Sequence, residues 1–144
     1  MIPGYFHPHS SWPVPFVRAS LWLPGIQEQW TPVEILIDTG AGRTALHPLD
    51  AVTKVGIPIQ TLVDPTAWTR HETPAGIGGK ALYFVVAAHY AFLKSDGQWH
   101  QMDGEIRIAQ ATMSNVTLPS LLGCDLLQHL PLTTDWVNRT ILLG

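Results

Sequence analysis

Proline and glycine interrupt this chain so often that little room is left for long helices. Twelve prolines and twelve glycines separate short runs of Val, Ile, Leu, Trp and Tyr over 144 residues. Proline breaks helices, whereas β-branched and aromatic residues favour the pleated surface of a strand. The pattern predicts an all-β protein of many short strands and turns, and its length suits one domain with its own core.

The apolar runs also predict where the elements lie. Residues 1–13 are rich in Pro and His and are expected to form an extended N-terminal arm, followed by a folded domain over residues 14–144. A short helical segment is expected over Pro48–Val55, ended by Gly56, and another after Gly123, stopped by Pro131. Extended segments are expected at Val14–Leu23, Trp30 or Val33–Ile37, Thr44–His47, Ile57–Val63, Trp68–Thr73, Lys80–Tyr90, Ala91–Leu93, Glu105–Ala109, Leu121–Leu122, Leu132–Asp135 and Thr140–Leu143, with a polar segment over Lys94–Gly104.

Charge and composition argue against several classes of protein. The net charge is −3 and the eight basic residues are scattered, which predicts neither nucleic-acid nor membrane partners. There is no apolar run of membrane-spanning length and no basic segment leading into an apolar one, so a soluble, cytoplasmic protein is expected. The lone Cys124 cannot form an internal disulfide, and the pair His7 and His9 lacks further ligands, so we predict neither a metal nor a cofactor.

A single acidic turn stands out. The apolar run Val33–Ile37 leads directly into Asp38, Thr39, Gly40 and Ala41. Alternation along the run places Val33, Ile35 and Ile37 on one face, so the strand delivers the carboxylate at its end. An ordinary turn at the end of a strand could have the same four residues. This motif alone therefore does not distinguish a reactive carboxylate from a structural turn, and other parts of the chain must decide.

Two later segments complete a recognisable order. A glycine-rich hairpin tip covers residues 74–79, and Leu-Leu-Gly-Cys-Asp-Leu-Leu covers residues 121–127. The order of the three segments resembles that of the retropepsins, the retroviral-type aspartic proteases, over residues 15–143. The resemblance implies a small closed β-domain with one short C-terminal helix, active as a two-fold homodimer.

The resemblance assigns roles to individual residues. Asp38 of each subunit would face its counterpart, and the two carboxylates would share one proton and activate a water for attack on a peptide bond. Thr39, Gly40 and Ala41 would support this site. The substrate would be a peptide or protein with apolar residues around the cut, and Ala41, which lacks a hydroxyl, predicts activity at mildly acidic pH or above. Flap residues that close over substrate would be Ala75, Gly76, Ile77, Gly78 and Gly79, and the motif before the helix would be Leu122, Gly123 and Asp125.

Two departures from the family leave alternatives open. Cys124 stands where retroviral enzymes have an arginine of the dimer interface, and Gly42-Arg43 replaces an acidic pair that binds substrate. Arg43 would either favour an acidic group on the peptide or be an exposed structural residue. A second interpretation is a catalytically silent dimeric peptide-binding module, and a third is a monomer activated by a partner, by acid or by trimming of the arm. The terminal strands would either interleave between subunits or pair within one chain.

Overall fold

A computed structural model describes residues 1–8, 13–73 and 81–144. It is mostly β, with 45% strand and 15% helix, and its centre is a closed six-stranded barrel. The predicted all-β class, the closed β-domain and the short C-terminal helix are therefore confirmed. The strands are β1 (Ile2–Pro3), β2 (Tyr5–Phe6), β3 (Pro15–Leu23), β4 (Gln27–Ile37), β5 (Ala45–Leu46), β6 (His71–Glu72), β7 (Tyr83–Leu93), β8 (Trp99–Ala109), β9 (Leu121–Leu122), β10 (Leu132–Asp135) and β11 (Thr140–Leu143).

The barrel closes because β3 pairs with both β4 and β7. Its strands follow the order β3-β4-β9-β5-β8-β7, and the contact between Leu21 and Tyr90 belongs to the closing β3–β7 pair. β9 lies between β4 and β5, parallel to β4 and antiparallel to β5. Closure leaves these strands without a free edge, and it places the end of β4 next to the end of β9.

The core fills the barrel with side chains that alternate along the strands. On β4, Val33, Ile35 and Ile37 are buried, as predicted. They pack in one cluster with buried residues of the other strands, and Leu122 of β9 is fully buried there. The buried aromatic residues of this cluster are Phe84, Tyr90 and Phe92. Since apolar burial is the main favourable term in folding, this core fixes the strand ends that carry the candidate site.

The helical segments are short. α1 (Pro48–Asp50) continues as one π-helical turn over Ala51–Val55, and Gly56 ends it in the left-handed conformation at φ 84°. This confirms the prediction of a helical segment ended by that glycine. α3 (Cys124–Leu127) follows Gly123, also as predicted.

The expectation of extended structure over Ile57–Val63 is wrong. Ile59–Val63 forms helix α2, which starts directly after Pro58. Leu62 is fully buried while Ile59 and Val63 remain exposed, so the apolar residues of this run divide between two sides of a helix. Such a short apolar run fits a strand and a helix equally well by its pattern alone.

Other expected boundaries also change. The strands expected at Lys80–Tyr90 and Ala91–Leu93 are not separate, because β7 runs without a break from Tyr83 to Leu93. Of the segment Trp68–Thr73 only His71–Glu72 is a strand, and a 3₁₀ turn over Pro65–Ala67 precedes it. The polar segment Lys94–Gly104 is a tight turn followed by most of β8, which pairs with β7 from Leu93 opposite Trp99 onwards. Pairing with a neighbouring strand supplies the backbone hydrogen bonds here, so the strand extends through polar residues.

The chain ends form a small second sheet of order β1-β11-β10. Ile2 is buried and lies opposite Leu143, while β2 pairs with β3 at the barrel. The terminal strands β10 and β11 pair with each other within this chain. Among the described helices, none has the length and apolar character needed to cross a membrane.

Candidate active site

Asp38 occupies a turn whose shape is fixed by short hydrogen bonds. Its backbone N–H donates to the Leu122 carbonyl at 3.0 Å, so the turn starts where β4 and β9 lie side by side. Its Oδ1 accepts from the Gly40 N–H at 2.9 Å, and its carbonyl accepts from the Ala41 N–H at 3.2 Å. Oδ2 makes no hydrogen bond within the described residues, so one carboxylate oxygen remains available for a ligand.

Residues 38–44, the Asp38 loop, are held from behind by the segment that joins β9 to α3. The Cys124 N–H donates to the Ala41 carbonyl at 2.8 Å, and the Asp125 N–H donates to the Gly42 carbonyl at 3.2 Å. A Cβ on Gly123 would lie 2.4 Å from the backbone carbonyl carbon of Arg43 and 2.5 Å from its oxygen. Only glycine permits this approach, which gives the predicted Gly123 a physical reason.

The carboxylate of Asp125 clamps the far end of the same loop. Its Oδ1 accepts from the Thr44 backbone N–H at 2.9 Å and from the Thr44 hydroxyl at 2.8 Å. Thr44 Oγ1 in turn accepts from the Gly123 N–H at 3.0 Å. Thr44 is only 1% exposed, so this network is shielded from water. No pattern in the sequence indicated a role for Thr44 beyond its place at the start of a short expected strand.

The structure thus brings together two of the three predicted segments. Asp38, Thr39, Gly40 and Ala41 lie beside Leu122, Gly123 and Asp125, although the segments are about 80 residues apart. The predicted flap residues Ala75, Gly76, Ile77, Gly78 and Gly79 lie outside the described residues.

Cys124 adjoins the Asp38 loop. Its thiol is exposed and its Sγ lies 3.3 Å from the Thr39 carbonyl oxygen. The Cys124 side chain therefore contacts the loop of its own chain.

A charged cleft of about 270 Å³ opens along the Asp38 loop. Arg107 lies in it with a side chain that is only 9% exposed, and donates to Glu72 Oε2 from Nη2 at 3.1 Å and from Nε at 3.3 Å. Sequence reasoning missed both residues, although an arginine within an apolar strand was a usable signal. The cleft is lined by Ala41, Gly42, Arg43, Ala45, Glu72, Tyr83, Arg107 and Leu121.

If the functional site were chosen by cavity volume alone, two larger cavities would be preferred to this cleft. Cavities of about 440 and 530 Å³ lie elsewhere, the first beside Trp68 and the second beside Arg139. Neither is lined by a predicted site residue. Chemistry therefore favours the smaller cleft, because it adjoins a fixed and accessible carboxylate.

His47, Asp50 and Ser120 form a polar cluster next to β5. The Ser120 hydroxyl donates to Asp50 Oδ2 at 2.6 Å and accepts from the His47 backbone N–H at 3.0 Å. The His47 ring bonds through Nδ1 to the Pro119 carbonyl at 2.5 Å, and burial lowers its pKa. Because the His47 ring bonds to the Pro119 carbonyl and makes no hydrogen bond to the fully buried Ser120 hydroxyl, the cluster lacks the nucleophile–base hydrogen bond of a serine hydrolase.

Comparison with known proteins adds no relative. The chain matches no family model and no curated protein sequence. Within residues 1–8, 13–73 and 81–144, no three His, Cys, Asp or Glu side chains are grouped to hold a metal ion. The candidate site therefore rests on the Asp38 loop, its support from β9 and α3, and the adjoining cleft.

Proposed function

We propose that this protein is an aspartic endopeptidase of the retropepsin type, acting as a two-fold homodimer on extended peptides with apolar residues around the cut. One observation carries the proposal. A single carboxylate, with one oxygen unengaged by the described residues, stands on a turn that two strands and a helix start hold in place. One such turn per chain supplies half of a two-carboxylate site, so a second copy completes it.

The chemistry follows from two facing carboxylates. Like charges about 3 Å apart do not both ionise readily, so the pair holds one proton; aspartic proteases are the standard example. The ionised Asp38 takes a proton from a water as that water attacks the scissile carbonyl carbon. The protonated Asp38 of the partner subunit donates its proton to the carbonyl oxygen. When the tetrahedral intermediate collapses, the C–N bond breaks, the first Asp38 gives the amine the proton taken from the water, and a hydroxyl proton returns to the partner's Asp38. No covalent enzyme intermediate forms.

The supporting residues act on position rather than on proton transfer. Gly40 donates its N–H to Oδ1, and a Cβ there would lie 3.2 Å from that oxygen. The Asp125 clamp and the close approach of Gly123 limit movement of the loop. Holding a reactive group in position lowers the entropic cost of reaching the transition state.

The test is cleavage of a diverse peptide library by the wild-type chain and by Asp38→Asn, between about pH 4 and 7 to cover the expected dyad titration. Asp96→Asn is the matched control, because Asp96 also accepts through Oδ1 from the N–H two residues later, at 2.9 Å. We expect cleavage to disappear in Asp38→Asn, to persist in Asp96→Asn and to be inhibited by pepstatin. Sedimentation of the same samples should show dimers in all three.

Two results would contradict the proposal. Cleavage that survives Asp38→Asn would place the activity elsewhere. A dimer without any Asp38-dependent cleavage over this pH range would favour the silent peptide-binding module, in which Asp38→Asn leaves peptide affinity little changed.

A further inference from the structure

The charged cleft beside the Asp38 loop is positioned to contact a ligand that reaches Asp38. Arg43, five residues after Asp38, lines it together with Ala41 and Gly42 of the same loop, and Arg107 of β8 and Glu72 of β6 also line it. An extended peptide lying across the Asp38 loop therefore passes this opening. The cleft volume of about 270 Å³ suits a single side chain rather than a whole small ligand.

The arginines around the cleft differ in whether they are paired with an acidic residue. Glu72 is engaged by Arg107, and Glu105 is engaged by Arg70 through Oε2, with its Oε1 3.8 Å from Arg107 Nη2. Arg43 makes no hydrogen bond or ion pair among the described residues. Arg70 and Arg107 are thus paired with glutamates, and Arg43 is the guanidinium at the cleft that remains to pair with a ligand.

The chemistry of the lining selects a carboxylate. A guanidinium offers paired N–H donors that match a carboxylate in a bidentate fashion. Glu72, which lines the cleft, and Glu105 beside it already accept from arginines, so a basic ligand would have to compete for them. Burial raises the pKa of Tyr83, which keeps its phenol neutral in the lining.

We propose that this cleft binds an acidic side chain, Asp or Glu, of the peptide ligand, with Arg43 as the principal specificity determinant and Arg107 as a second cation held by Glu72. The inference rests on the proposed function only in taking an extended peptide as the ligand. Apolar residues at the cut and one acidic residue at a fixed distance from it would together define the substrate class.

The experiment measures binding separately from cleavage. Fluorescent peptides that carry Glu or its neutral isostere Gln at each position in turn are titrated against the Asp38→Asn chain at pH 6, where glutamate is ionised. At one position we expect Glu to bind about 10-fold more tightly than Gln, an advantage that shrinks at high salt. Arg43→Gln should reduce this advantage to about 2-fold or less.

Two further variants separate a specific contact from a general charge effect. Arg18→Gln changes the net charge equally, but Arg18 pairs with Glu34 and does not line the cleft, so the Glu advantage should persist. Glu72→Gln removes a competing carboxylate and should increase the advantage. A merely structural role would not produce opposite effects from Arg43→Gln and Glu72→Gln.

The outcomes distinguish this inference from the proposed function. In one outcome, peptide binding favours acidic residues and depends on Arg43, but the wild-type chain shows no Asp38-dependent cleavage. That result would support the acidic-side-chain site and refute the proposed protease activity. Cleavage without acid selectivity would retain the protease and overturn the inference. No peptide binding, a preference for Lys, or a Glu advantage unchanged in Arg43→Gln would also overturn it.

Discussion

Replacing Thr44 by valine removes one hydroxyl and nearly keeps the shape of the side chain. In the native chain that hydroxyl donates to Asp125 Oδ1 at 2.8 Å and accepts from the Gly123 N–H at 3.0 Å. Thr44→Val therefore breaks a hydrogen bond to a charged group and leaves a backbone N–H without its partner at a site that water does not reach.

The expected cost follows from those two losses. A hydrogen bond to a charged group contributes about 1.5–3 kcal/mol, and an unpaired buried donor costs about 1–3 kcal/mol. Because neighbouring groups can shift and reduce both losses, values near the lower ends apply. We expect Thr44→Val to lower the free energy of unfolding by about 2.5 kcal/mol.

The chain contains a matched control. Thr31 on β4 is also buried, at 6% exposure, but its hydroxyl has no hydrogen-bond partner in the part of the chain that the structure describes. Thr31→Val removes an unsatisfied polar atom and should raise the free energy of unfolding by about 1 kcal/mol. The same chemical change at two buried positions is thus expected to have opposite signs.

Urea unfolding followed by tryptophan fluorescence measures both variants, with the protomer concentration held constant because dimerisation would couple to stability. The reasoning is refuted if the two variants shift the free energy of unfolding equally, or if Thr44→Val is neutral. A loss of peptide cleavage in folded Thr44→Val would further indicate that the clamp positions Asp38.

Further predictions concern other contacts. Gly123→Ala should lower the free energy of unfolding by about 3 kcal/mol, since its Cβ would lie 2.4 Å from the backbone of the Asp38 loop, whereas Gly42→Ala has open space; equal urea midpoints for the two would contradict this. Burial lowers the pKa of His47, so the unfolded chain binds this proton first as pH falls. Stability should therefore decrease by up to about 1.4 kcal/mol per pH unit below about pH 6.5; thermal melts of His47→Gln should show a shallower decrease, and parallel curves would count against it. Tyr90→Phe removes a 2.7 Å hydrogen bond to the Glu105 carbonyl and should cost about 1 kcal/mol in chemical denaturation; an unchanged midpoint would mean that the bond is not formed.

Much of the fold was predictable because it depends on local pattern. Alternation on β4 identified the buried face, and Gly56 marked a helix end correctly. Prediction failed at Ile57–Val63, where the apolar run suits either a strand or a helix, and at Lys94–Gly104, where β8 continues through polar residues. In both places contacts with distant residues decided the conformation, and periodicity does not report such contacts.

The sequence by itself determined the strand that leads into Asp38, the turn after it and the glycine before α3, because each depends on neighbouring residues and backbone geometry. Only the tertiary structure decided that β9 lies between β4 and β5. That placement joins Asp125 to Thr44 across 81 residues of sequence, and barrel pairing brings Arg107 to Glu72. Such contacts arise when the barrel closes around its core, since closure alone sets which distant strand ends become neighbours.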